Sequence, residues 1–296
     1  MRAKWISPAS ALVALAVGLS LLVNPVADAA PKKLKLLWSD EFNGKQGVRP
    51  SSKVWSTEIG GGGWGNSERQ FYTDKAANAS MDGAGRLVIT ANRISNQYSE
   101  QVGEVPGTED ILNRCSECQF TSARLKTARK LSFQYGRIEA RIKMPEGVGT
   151  WPAFWMLGTD ITSVGWPSSG EIDIMEGKSS SLVAGAIHWS NSGNDAYAYA
   201  NYSASSFTND YHVYSVYWLE NYIALYVDGN KILERTNTTL DQPGAWAFNH
   251  PFFIIFNNAI SPAGGFSDAY NGWSSSQMKI DYVRHYQLNG VGSVGN

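Results

Sequence analysis

Gly170-Glu171-Ile172-Asp173-Ile174-Met175-Glu176-Gly177 puts three carboxylates within six residues, separated only by Ile and Met, in a chain that is 17% charged. The apolar residues between the acids predict a β-strand. Side chains two apart share a strand face, so Glu171 and Asp173 point one way while Ile172 and Ile174 enter a core. Glu176 stands five residues after Glu171 and has the wrong parity for that acid face. A β-bulge near Ile174 and Met175, absorbing one extra residue, would re-aim it. All three acids would then line one cleft.

Crowded carboxylates do not all ionise at neutral pH, so one pKa is expected to rise while another stays low. That division suits glycosidic bond cleavage with retention, which needs an ionised nucleophile and a protonated acid about 5 Å apart. Taken alone, the same string also fits an acidic turn or a metal site.

Arg2 and Lys4 precede an apolar run from Ala11 to Val23 and an Ala27-Asp28-Ala29 cleavage pattern. Residues 1–29 read as a secretory signal peptide; the run is shorter than the roughly 20 residues a spanning helix needs. The remainder is long enough for one large β domain. Net charge is −1, or about −2 once Arg2, Lys4 and Asp28 are removed, which argues against nucleic acid or polyanions as partners. Cys115 and Cys118 are the two cysteines. Secretion makes a disulfide between them the expectation, since zinc would need more ligands and a thioredoxin-like βαβ context is missing. His188, His212, His250 and His285 show no metal-ligand spacing.

Period-2 alternation recurs along the chain, and no useful stretch shows a helical period. Tyr135 to Met144 alternates with Ile138, Ala140, Ile142 and Met144 on one face. Val213–Leu219 and Tyr222–Val227 flank Glu220-Asn221 as a hairpin, and Asp228-Gly229 begins another turn. Residues 85–90, 252–256 and 279–286 are further strands. Many strands, Gly-rich turns and no βαβ rhythm predict an all-β jelly-roll sandwich. Residues 30–288 form its single domain, and residues 289–296 read as a small polar tail, the stub of a linker.

Ten of the 11 Trp lie beyond residue 29. Trp151, Ala153 and Trp155 share a strand face, and indole rings stack on the C–H faces of sugars. Trp38, Trp55, Trp218 and Trp246 are assigned to packing, while Trp64, Trp151, Trp155 and Trp166 are cleft candidates. The Gly60–Gly65 run lacks a phosphate-loop ending; it reads as a rim loop carrying Trp64 and Asn66.

Trp38-Ser39-Asp40-Glu41-Phe42, Asn66 to Thr73, Tyr135 to Ile142, Trp151 to Leu157, Gly170 to Gly177 and Ile280 to Arg284 come in an order and spacing that resembles glycoside hydrolase family 16. The resemblance covers essentially the whole chain after the leader. It is nearest the bacterial laminarinase branch, in which the acid strand carries an extra residue before its last glutamate. It implies a concanavalin-like jelly roll, a retaining endo-1,3-β-glucanase activity, and Glu171 as nucleophile, Glu176 as acid/base and Asp173 as the carboxylate tuning them. It further implies glycan contacts from Asn66, Arg137, Trp151, Trp155, Trp166 and His188, although a histidine bonded near the core is an equal reading of His188. The resemblance also implies a structural calcium held through backbone oxygens at Glu41 and Gly83 and by Asp281, with no cofactor for catalysis. Where the family commonly reads A-V-G-G, this chain has Asn257 to Gly265, which bears on fine specificity.

The resulting expectation is a secreted monomer acting on β-1,3-glucan such as laminarin, without membrane or nucleic-acid partners. Mixed-linkage β-1,3-1,4-glucan is the neighbouring enzymatic reading. A noncatalytic glucan-recognition protein is the reading from another class, and family binders lack the catalytic glutamates that stand here as Glu171 and Glu176.

Overall fold

Alternation decides which side of each strand is buried. In Gly136–Lys143, Ile138, Ala140 and Ile142 are fully buried while Arg137 and Arg141 stay half-buried. In Leu87–Arg93 the buried positions are Leu87, Ile89 and Ala91. The structure, a computed structural model, describes residues 34–94, 115, 118–262, 265–267 and 272–296. The expected leader, residues 1–29, lies outside the described residues. Those that are described belong to one unit, Lys33–Asn296.

Among the described residues the strands form a ten-stranded and a nine-stranded sheet. The nine-stranded sheet runs Asn194–Ser203, Leu182–Asn191, Glu171–Ser179, Thr150–Gly158, Phe252–Ile260, Arg124–Lys126, Ser56–Glu58. The other contains Asn230–Thr236, Tyr222–Val227, His212–Leu219, Gly136–Lys143, Ser275–Gln287 and Leu87–Arg93 in that spatial order. Neighbours far apart in sequence and almost wholly antiparallel pairing give the jelly-roll sandwich. Phe154, Met156, Ile172 and Ile174 from one sheet meet Ile138, Val216, Trp218 and Ile280 from the other in a single core cluster. Each such buried side chain stabilises by about 1.5–3 kcal/mol before entropy is counted.

Two-residue turns set the register of the hairpins. Asp228 and Gly229 have φ of 50° and 79°, and Ser192 and Gly193 have 54° and 86°, the left-handed pair that a tight hairpin requires. The hairpin at Ser192 joins Leu182–Asn191 to Asn194–Ser203, two strands not foreseen from sequence. One correction concerns the C-terminus. Residues 289–296 are not a free tail, because Ser293–Gly295 pairs with Ser132–Gln134 and Val294 packs against the main core.

Candidate functional site

The acid strand Glu171–Ser179 contains the expected bulge. Asp173 pairs with Ala186 and Glu176 with Ala184 on one neighbour, while on the other they pair with Trp155 and Ala153. Both neighbours advance two residues where the acid strand advances three. Ile174 and Met175 are both fully buried, so the extra residue goes into the core and Glu176 turns to the same face as Glu171 and Asp173. That face forms the floor of a cleft of about 600 Å³ that all three acids line.

Each acid has a defined partner. Trp166 Nε1 donates to Glu171 Oε2 at 2.9 Å, and Trp151 Nε1 donates to Glu176 Oε1 at 2.9 Å. Asp173 is 4% exposed, and its Oδ2 lies 3.4 Å from His188 Nε2 without a well-aligned hydrogen bond. Asp173 also shares a hydrogen bond with Glu171, which favours the charged form of Glu171 and the neutral form of Asp173. Burial is the foremost cause of a raised pKa in all three acids. For Asp173 the charges of Glu171 and Glu176 add to burial and lift its carboxyl well above the usual range. Glu176 is pushed up to about 7 by burial, against the opposing Trp151 N–H. Glu171 is raised by burial too, but His188, the Trp166 N–H, Asp173 and Arg124 all favour its charged form. The charge of the group therefore falls on Glu171.

Most of the glycan-facing candidates converge here. Asn66, Trp64, Trp151, Trp155, Trp166 and His188 all line the cleft. Trp151 offers only one ring face, because Phe266 stacks on the other at 4.5 Å and 12°. Trp155 donates to Asn257 Oδ1 at 2.7 Å and carries the Arg124 guanidinium 4.6 Å from its ring centroid. Arg137 is a correction. It lies in the ten-stranded sheet, paired to Glu139 and over the Tyr217 ring, because its strand turns Ile138, Ala140 and Ile142 inward and Arg137 to the side away from the cleft.

Several cleft residues escaped the sequence reading: Glu68, Arg124, Asp195, Tyr197, Tyr199 and Phe266. Three of them carried a signal, since Asp195-Ala196-Tyr197-Ala198-Tyr199-Ala200 alternates strictly, with Ala196 and Ala198 buried and Tyr197 and Tyr199 exposed by 49% and 38%. Glu68 is 5% exposed and accepts from Gln70 at 2.6 Å and Tyr72 at 3.1 Å. Cys115 and Cys118 form a disulfide with Cα atoms 5.3 Å apart, packed on Phe71 and against Gly61 of the rim loop.

The calcium residues stand apart from the cleft. Both Glu41 oxygens accept from Arg284, at 2.9 and 2.8 Å, which holds its carboxyl below the usual range, and Asp281 accepts from Arg141 at 2.8 Å. A calcium here would use backbone oxygens of Glu41 and Gly83, which those side-chain pairs do not involve, together with the Asp281 carboxylate, among about six to eight oxygen ligands. Among the described residues, the one group with ligand-like spacing is Glu171, Asp173 and His188, whose atoms lie within 4.8 Å of one another; these are the acids and their histidine partner rather than a cage.

Residues 66–284 match the sequence profile of glycosyl hydrolases family 16. The chain belongs to that family. Among its family 16 relatives is the beta-glucanase of Rhodothermus marinus, 34% identical over 93% of this chain and 93% of its own length. The Clotting factor G alpha subunit of Tachypleus tridentatus is 39% identical over 86% of this chain, but the chain spans only 34% of that longer protein. The laminarinase catalytic domain of Thermotoga maritima superposes with a TM-score of 0.70 at 34% identity, covering 86% of this chain and 99% of that one. The jelly roll expected from the sequence is thus the family 16 fold.

Proposed function

We propose that the protein is a secreted, endo-acting hydrolase that cleaves internal β-1,3 bonds of laminarin-type glucans with retention of the β-anomer. The observation that carries this reading is the bulge at Ile174 and Met175, which brings Glu171, Asp173 and Glu176 to one face of a tryptophan-lined cleft.

In this mechanism Glu171 attacks the anomeric carbon, its charge favoured by His188 and the Trp166 N–H. Glu176 keeps its proton near neutrality, since burial pushes it up to about 7, and gives that proton to the departing glycosidic oxygen. It then takes a proton from the water that releases the sugar from Glu171. Asp173, held neutral by burial and its neighbours' charges, donates to Glu171 and keeps it oriented. Glu171's charge is among the influences that raise Glu176, consistent with the short carboxylate separation that retention uses. Endo action follows from the acids sitting mid-cleft, with Asp195, Tyr197 and Tyr199 on one side and Trp64, Asn66, Glu68 and Arg124 on the other. Relatives named as endo-1,3-beta-glucosidases and a solved endo-1,3-beta-glucanase support the β-1,3 linkage, and the leader-like N-terminus with the disulfide supports secretion. No helix among the described residues is long and apolar enough to cross a membrane.

Reducing-sugar release from laminarin, lichenan, agarose and carboxymethylcellulose, compared side by side, tests the proposal. Laminarin should be cleaved fastest. Faster release from lichenan would move the assignment to mixed-linkage glucan, and binding of laminarin without release at any pH would make the protein a recognition module.

A further inference from the structure

The hairpin of Leu182–Asn191 and Asn194–Ser203 sets Asp195 against His188 on the cleft side. The two Asp195 oxygens lie 2.9 and 3.1 Å from His188 Nδ1. An ionised carboxylate only accepts, so Nδ1 carries the proton of that bond and a ring flip would break it. The clamp leaves Nε2 as the ring atom facing Asp173 Oδ2. Trp166 and Tyr197 flank the same imidazole, with ring centroids 6.0 and 5.7 Å away.

Resting on the glutamate roles proposed above, we propose that Asp195 is a positioning residue for the nucleophile, clamping His188 against the acid group so that Glu171 is its charged member. Asp173 and Glu176 face Glu171 from its own strand, His188 from the next, Arg124 from across the sheet and the Trp166 N–H from the loop above. Of these, His188 is foremost in favouring the charged form of Glu171. Nothing else among the hydrogen bonds described for the His188 ring anchors it as Asp195 does. The charge of Asp195 itself bears on Asp173, while its bond to Nδ1 reaches Glu171 through the histidine. Asp195 also lines the cleft, so a direct glycan contact is the competing role.

The test is the pH profile of kcat/KM on a laminarin oligosaccharide for Asp195→Ala, Asp195→Asn, Asp195→Glu, His188→Asn and the Asp195→Ala/His188→Asn pair, each first checked by thermal unfolding. Freed from its clamp, His188 no longer supports the anion, so in Asp195→Ala the acid limb should move up by about half a pH unit or more. kcat should fall while KM stays within about twofold. Asp195→Glu should restore the limb, and Asp195→Asn, which keeps an acceptor for Nδ1, should leave it near wild type. The paired variant should shift no further than His188→Asn alone. Should Asp195→Ala not fold, Asp195→Ser takes its place. An unmoved acid limb with a raised KM would make Asp195 a glycan contact and overturn the proposal, as would an additional shift in the pair or an alanine-sized shift in Asp195→Asn. Such a failure leaves the glutamate roles standing; those fall only if Glu171→Gln keeps its turnover.

Discussion

Trp151 donates its indole N–H to Glu176 at 2.9 Å while its ring lies flat against Phe266. Burial raises the Glu176 pKa to about 7, and this bond restrains the rise. Trp151→Phe keeps an aromatic ring against Phe266 and deletes the donor. The Glu176 pKa should then climb, and the alkaline limb of kcat/KM should move to higher pH. An unchanged limb would mean that Glu176 is not the group titrating there.

Asp173 gives a sharper test of charge. Burial, and then the charges of Glu171 and Glu176, keep its carboxyl neutral, so Asp173→Asn changes no charge in the resting site and should leave the alkaline limb in place. Asp173→Ala removes the hydrogen bond that favours ionised Glu171, and the acid limb should rise. A downward shift of the alkaline limb in Asp173→Asn would show that Asp173 is ionised in the working enzyme.

Glu176 should also cost the protein stability. Its pKa rises from an ordinary 4.5 to about 7 on folding, so the neutral form's advantage is complete below pH 4.5 and is lost as pH rises through 7. Above that, burying the anion costs on the order of 1–3 kcal/mol. Glu176→Gln, whose amide oxygen still accepts from Trp151, should therefore have a higher Tm than wild type at pH 8 and a similar Tm at pH 4. Equal Tm values at both pH values would contradict the raised pKa.

Trp155 joins the cleft wall to Arg124 and Asn257. Stacking of a glucose ring there contributes on the order of 1 kcal/mol or more, so Trp155→Ala should lower kcat/KM on trisaccharides more than on polymer, which has other subsites to hold it. Equal losses on both substrates, together with a lowered Tm, would make Trp155 a packing residue.

Much of this was legible in residue order because parity is a strong constraint. Five positions separate Glu171 from Glu176, and only an extra residue in the strand reconciles that with three acids on one face; Asp173 pairing with Ala186 and Glu176 with Ala184 shows that residue in place. Arg137 misled for a related reason, since the same alternation sends it to the far face once Ile138 is assigned to the core. The C-terminal strand was hidden because Ser293–Gly295 is too short and small for a periodic signal, and only its partner Ser132–Gln134 gives it a place. Asp195, Tyr197 and Tyr199 were readable as alternation between alanines. Their meaning depends on which strand lies beside the acids, and that is a property of the sheet order rather than of the segment.

Azide rescue of Glu171→Ala tests whether Glu171 is the nucleophile. With the carboxylate shortened, azide can enter from the vacated side and attack the anomeric carbon in a single inversion. Incubated with a laminarin oligosaccharide carrying a good leaving group, Glu171→Ala should be inactive alone and should form the α-glycosyl azide when azide is added, as read by NMR of the product. A β-glycosyl azide from this variant, or turnover near wild type without azide, would show that Glu171 is not the nucleophile.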